Sequence, residues 1–254
     1  MIVILPLAVF ATCLIGTLFI MNKYENIFMY PINTILVDLI GKNQAFLIPA
    51  EPTRAEHREE PLYYKIEFAK IFEKGLQMDL SKLMAYFIKK SNVNFDRMIG
   101  IESKKALDQP SLEKYSFVPI LSAMMRKPYA IIVEVPEQSQ FICEGEIEEG
   151  ETVIIIDDVL TTGESIFGVT EYLRKQYKNI KVTYAFAFVV RYPYDEGGFD
   201  EAKKRLAKYG IELRAIIDNI DLVKKLYEKK YVTLEQLKYI SNDKDLKGSP
   251  IFIG

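Results

Sequence analysis

Apolar residues follow two rhythms along this chain. Short runs rich in β-branched and aromatic residues recur at Arg97–Ile101, Lys127–Val133, Val153–Ile156, Tyr184–Val190 and Ile211–Ile217. Between them, apolar positions repeat every three or four residues: Leu80, Leu83, Met84, Phe87 and Ile88 first, then Ile166, Val169, Leu173 and Tyr177. Continuous apolar runs mark strands buried on both faces, and the second spacing marks amphipathic helices. Strand and helix patterns alternate from about Tyr63 to Ile217. The expected fold is therefore α/β, with a parallel sheet and ligands at the carboxyl edge of its strands.

The same pattern predicts further elements. Ile35, Leu36, Val37, Leu39 and Ile40 form a helical stretch after Pro31, and Leu76–Lys90 is a helix with one face on the sheet. Ala202–Tyr209 reads as a helix ended by Gly210. Asp218–Lys230 and Thr233–Ile240 read as a helical pair, with Thr233 and Gln236 spaced as a capping box. Glu51–Pro61 is charged and bounded by Pro52 and Pro61, which predicts an exposed loop with a solvated His57. Asn242–Gly254 is expected to be a frayed tail.

The N-terminus has a different character. Met1–Met21 carries no charged side chain, and Asn22, Lys23 and Glu25 end the run. At 1.5 Å per residue, about twenty residues cross a hydrocarbon core of about 30 Å. Residues 1–22 are thus expected to be a transmembrane anchor. Residues 23–60 would form a linker with its helix and charged loop, 61–241 the folded domain and 242–254 the tail.

Composition removes several functions. Across 254 residues, 33 Lys and Arg nearly balance 35 Asp and Glu, so no basic excess points to nucleic acid. The two cysteines, Cys13 and Cys143, make neither a disulfide framework nor a metal site. With His57 as the single histidine, no Ser-His or Cys-His hydrolytic constellation can form.

Chemistry concentrates in Val153–Ser165. Four apolar residues lead into Asp157 and Asp158, expected to end the strand, and then into Val159, Leu160, Thr161, Thr162, Gly163, Glu164 and Ser165 before a helix. A small polar turn at a helix N-terminus can aim backbone N–H groups and hydroxyls at an anion. The adjacent carboxylates can accept hydrogen bonds from sugar hydroxyls or face a metal. A phosphate joined to a polyhydroxyl sugar suits both halves.

Those residues resemble the phosphoribosyl pyrophosphate (PRPP) motif of the type I phosphoribosyltransferases, most closely the orotate enzymes. The resemblance implies that Asp157 and Asp158 hold the ribose hydroxyls and act in catalysis, while Val159–Ser165 take the 5′-phosphate. It implies Mg2+ carried by PRPP, a nitrogenous base as second substrate and a homodimer. PRPP is a cytosolic metabolite, so the domain tethered by residues 1–22 would face the cytoplasm. Gly100-Ile101-Glu102-Ser103 is similar to the pyrophosphate loop of purine enzymes, with Lys104 and Lys105 where Arg-Gly is usual. Arg191, at the end of Tyr184–Val190 and before Glu196-Gly197-Gly198, matches the arginine that pairs with the orotate carboxylate.

One departure divides the functional expectation. Where orotate enzymes place an Arg-Lys pair and a basic loop, this chain has Val133, Glu134 and Pro136–Gln140 without a cation. Cations commonly stabilise a departing diphosphate. The first expectation is an orotate-type phosphoribosyltransferase of pyrimidine nucleotide synthesis. The alternatives are a purine phosphoribosyltransferase, or a PRPP-binding sensor or scaffold that has lost turnover.

Overall fold

The computed structural model describes residues 31–54, 61–103, 117–135 and 140–252. The apolar segment 1–22, His57, Lys104 and Lys105 lie outside the described residues. Among the described residues, no helix is long and apolar enough to cross a membrane.

The chain first forms α1 (Ile32–Lys42), β1 (Phe46–Leu47), β2 (Thr53–Arg54), β3 (Pro61–Leu62), β4 (Lys65–Ile66), α2 (Ala69–Phe72) and α3 (Gln77–Lys90). The short strands pair antiparallel, β1 with β4 and β2 with β3. Thr53 and Arg54 pair with Leu62 and Pro61, so the ends of the predicted charged loop are tied together. α1 is no linker. Leu36, Val37 and Ile40 are fully buried in the same cluster as Leu80 and Met84 of α3. α1 therefore contributes to the core, because it carries an apolar stripe that water would otherwise meet.

The main sheet is built from β5 (Arg97–Ser103), β6 (Tyr129–Val135), β7 (Gln140–Glu144), β8 (Thr152–Leu160), β9 (Lys181–Val190) and β10 (Glu212–Asp218). Its order is β10-β9-β8-β5-β6-β7. All neighbours run parallel except β7, which turns back antiparallel along β6. β7 was absent from the sequence expectation, which read Pro136–Gln140 as loop and took the sheet as wholly parallel. Its residues alternate: Phe141 and Cys143 face a core cluster while Gln140, Ile142 and Glu144 are exposed. Half-burial of this kind is normal for an antiparallel edge strand.

Helices α4 (Phe117–Met125), α5 (Glu164–Gln176), α6 (Gly198–Ala207), α7 (Asn219–Glu228) and α8 (Leu234–Ile240) complete the layers. The period-two pleat sends alternate residues of β8 to opposite faces. Ile154 and Ile156 join the cluster of α3, α4 and α7, whereas Val153 and Ile155 join that of α5 and α6. Gly100 permits the close seat of α4. A Cβ there would come within 2.7 Å of Ile131 and 3.1 Å of Val118. The predicted capping box is present, with Thr233 and Gln236 each bonding the other's backbone N–H.

Within the segment expected to be a frayed tail, residues 243–249 pack against the fold. Asp243, Asp245 and Leu246 are fully buried and Ser249 nearly so. The physical reason is a counter-charge within the fold, described below.

Candidate functional site

The site begins where two ladders part. β8 pairs with β5 from Arg97↔Val153 to Gly100↔Ile156 and no further. On its other side it stays paired with β9 through Asp157↔Ala187, Val159↔Val189 and Leu160↔Val190. The acidic pair therefore does not end the strand, as expected from sequence. It lies inside the last half of β8, held from one side only, because Val159 and Leu160 still find partners on β9. β5 meanwhile continues along β6, with Glu102 opposite Val133 and Ser103 opposite Glu134.

The chain leaves β5 towards β6 on one side, and β8 lies on the other. The helices following these two strands, α4 and α5, belong to opposite faces of the sheet. Such a reversal of strand order opens a crevice at the carboxyl ends of the strands, the usual ligand position in an α/β sheet. Here it is a cavity of about 190 Å3. Its polar wall is Asp157, Asp158, Ser165, Glu102 and Glu134, and its apolar wall includes Phe72, Ile101, Phe117 and Val118. The sequence did not single out Phe72 or Phe117 as site residues, whereas Glu102 stood within the loop-like Gly100–Ser103 segment. The helical patterns of Phe72 and Phe117 look like ordinary core, and only the topology turns them towards the crevice.

The turn after β8 leads into the N-terminus of α5. Thr161 and Thr162 are exposed, and Gly163 sits at φ 82°, a left-handed conformation that costs a residue with a Cβ. Gly163 offers no side chain to cap α5, and the first amides of a helix have no intrahelical partner. One of them, the Glu164 N–H, donates to Thr162 Oγ1 at 3.4 Å. The aspartates brace their own backbone: the Asp158 N–H donates to Asp157 Oδ1 at 2.8 Å, and the Val159 N–H to Asp158 Oδ1 at 2.7 Å. Glu164 pairs instead with Arg205 of α6, at 2.9 Å. The hydrogen bond of Arg205 to Tyr192, and then that to Glu164, outweigh partial burial and hold the guanidinium more firmly protonated than usual.

Arg191 is placed differently from its expected role. It follows β9, its N–H donates to Leu160 O at 2.7 Å, and its side chain is 7% exposed. Its Nε lies 2.5 Å from Asp245 Oδ2 and its terminal nitrogen 3.2 Å from Asp243 Oδ2. Its guanidinium carbon stands 4.1 Å above the Tyr64 ring. Asp243 also accepts from the Tyr63 N–H, and the Asp245 carbonyl from Asn219 Nδ2, each at 2.9 Å. A buried arginine requires counterions, and residues 242–249 fold inward to supply them. Burial raises the Asp243 carboxyl above the ordinary range, with Arg191 pulling the other way. Burial likewise raises the Tyr64 phenol. The structure thus brings Asp157, Asp158 and Ser165 to one crevice, with Thr161–Glu164 beside it, and leaves Arg191 outside its lining.

No family model matches the chain. The orotate phosphoribosyltransferase of Pyrococcus abyssi is 30% identical over 149 residues, covering 58% of this chain and 72% of that protein. That of Thermococcus kodakarensis is 30% identical over 118 residues, or 44% of this chain, and the match spans 58% of the relative's length. Among solved structures, Aeropyrum pernix orotate phosphoribosyltransferase superposes with a TM-score of 0.55 at 20% identity, covering 75% of this chain and 97% of that one. Leishmania donovani UMP synthase gives a TM-score of 0.62 at 18% identity, covering 82% of this chain and 41% of that one. These structures show a shared fold.

Proposed function

This chain belongs to the type I phosphoribosyltransferase family, orotate-like, and on that premise we propose that it transfers the phosphoribosyl group of Mg-PRPP to a nitrogenous base. Orotate is the acceptor for which the relatives are named. The observation that carries the reading is the placement of Asp157, Asp158 and the Thr161–Ser165 turn together at the strand-order reversal beside β5.

In this reading Asp157 and Asp158 accept hydrogen bonds from the ribose hydroxyls, and Thr161–Ser165 with the α5 amides take the 5′-phosphate. Fixed at both ends, the sugar presents C1′ to the base. The base nitrogen forms a bond to C1′ as the C1′–O bond breaks; the electron pair of that C–O bond leaves with the diphosphate, and the nitrogen's proton passes to solvent. Catalysis rests on positioning and on charge stabilisation of the oxocarbenium-like centre. Lys104 and Lys105 are proposed to meet the diphosphate. The hard carboxylate oxygens of the crevice fit Mg2+, which favours one or two carboxylates together with substrate phosphates. When bound, it would supply positive charge against the diphosphate.

A second reading, PRPP binding without turnover, is favoured by Glu134. That side chain and Glu102 line the crevice with negative charge where a leaving diphosphate is best met by cations. Two measurements separate the readings: titration calorimetry with Mg-PRPP, and pyrophosphate release with orotate, uracil, adenine, guanine and hypoxanthine. Release with any base supports transfer. Binding lost in Asp157→Asn but without release from any base supports the sensor. No heat with Mg-PRPP refutes both.

A further inference from the structure

We infer that Arg191 is a positioning residue for the Thr161–Ser165 turn: Asp243 and Asp245 grip its side chain, and its backbone fixes the end of β8. The inference rests on the phosphoribosyl-transfer reading, in which that turn takes the 5′-phosphate. It gives the buried segment 243–249 a part in ligand binding.

Residues 191 and 192 bracket the turn. Past Ile156, the ladder of β8 among the described residues continues on β9. It closes where the Arg191 N–H donates to Leu160 O at 2.7 Å, one residue before Thr161. On the far side of the turn, Glu164 accepts from Arg205 at 2.9 Å, and Arg205 also donates to the Tyr192 hydroxyl at 3.4 Å. Both ends of a turn whose threonines are exposed are thus tied to one dipeptide after β9.

That dipeptide is gripped from the opposite face of the sheet. Val190 and Tyr192 belong to the cluster of α5 and α6, as does Leu160. The Arg191 guanidinium instead lies over the ring of Tyr64, a member of the cluster of α3, α4 and α7. There Asp245 accepts from its Nε and Asp243 from a terminal nitrogen. A planar guanidinium held through two different nitrogens resists both rotation and sliding. Its carboxylates are fixed in turn: Asp243 accepts from the Tyr63 N–H, and the Asp245 carbonyl from Asn219 at the start of α7. The backbone bond to Leu160 needs no particular side chain, so what the ion pairs add is a fixed position for it. A turn in its binding geometry a tenth of the time binds about tenfold more weakly, and holding it there removes that loss.

The test uses the full chain and the single variants Asp243→Asn and Asp245→Asn. Each leaves Arg191 one carboxylate, so the buried guanidinium stays answered. Titration calorimetry with Mg-PRPP reads Kd and the number of competent sites. Amide-resolved hydrogen exchange of the unliganded protein compares Arg191 with Ala185 and Ala187 inside β9. The expected result is a Kd raised about tenfold at an unchanged number of sites, with faster exchange at Arg191 and none at Ala185 or Ala187. An unchanged Kd in both variants would overturn the inference and leave the transfer reading intact. Fewer sites at an unchanged Kd, or faster exchange throughout β9, would also overturn it, because the ion pairs would then act on stability alone. So would a raised Kd without faster exchange at Arg191, which would place the loss elsewhere. No heat with the parent chain refutes the transfer reading and takes the inference with it.

Discussion

Replacing Arg191 with methionine separates a structural arginine from a ligand-binding one. The side chain is 7% exposed, and its partners Asp243 and Asp245 are fully buried. Removing one partner of a buried ion pair typically costs about 3–5 kcal/mol, because the remaining charge stays desolvated and unanswered. Loss of the cation over the Tyr64 ring acts in the same direction. An expected loss of about 4 kcal/mol is a large share of the roughly 5–15 kcal/mol that holds a typical domain together. Urea unfolding followed by circular dichroism reads it. With a slope of about 2 kcal/mol per M, the midpoint should fall by about 2 M. The triple variant Arg191→Met, Asp243→Asn, Asp245→Asn carries no orphaned charge and should recover about half of that loss. A midpoint within about 0.3 M of the parent for Arg191→Met alone would refute the account. So would a triple variant less stable than the single one, since the cost could not then lie in the buried carboxylates.

Four shorter predictions follow from other parts of the site and its frame. Asp157→Asn should weaken Mg-PRPP binding by about tenfold or more by calorimetry, as expected for a charge-assisted hydrogen bond, with the far-ultraviolet spectrum unchanged. Gly163→Ala should cost about 1–2 kcal/mol in urea unfolding through its φ of 82°; its added Cβ would meet Phe167 at an ordinary 3.6 Å, so packing is not the cause. Arg97→Met should lower stability by about 3 kcal/mol, because it removes a mostly buried two-pronged pair with Glu151, at 2.7 and 2.8 Å, that ties the start of β5 to the turn before β8. For pH, the raised Asp243 carboxyl means that the folded state binds its proton more readily than the unfolded chain does. Its stabilising contribution is full below the ordinary aspartate value and is lost as pH rises through the raised one; Asp243→Asn should flatten that slope in pH-dependent unfolding.

The central elements were legible because their signals are local. The apolar run of β8, the helical repeat of α5 and the capping box at Thr233 each depend on neighbours within a turn or a strand. The Asp157–Ser165 segment was readable for the same reason: strand, acids, turn and helix N-terminus are contiguous. Boundaries were less so. Whether β8 stops at Asp157 or runs to Leu160 depends on Val189 and Val190 of β9, which the segment itself does not contain. β7 was missed because its five residues alternate too briefly to stand out from a loop.

The sequence by itself determined the α/β class, the succession of the main strands and helices, and the contiguity of strand, acidic pair, turn and helix over Asp157–Ser165. Tertiary structure decided where charge is available. Arg191 reads locally as a strand-end cation facing a ligand, and Asp243 and Asp245 read as a solvated tail. Some fifty residues of chain separate them, and only the fold brings them within bonding distance. The same is true of Glu102 and Glu134, which lie on neighbouring strands and share a crevice only because β5 parts from β8 after Ile156. Propensity and periodicity are properties of a window, whereas electrostatic pairing and desolvation are properties of the whole fold.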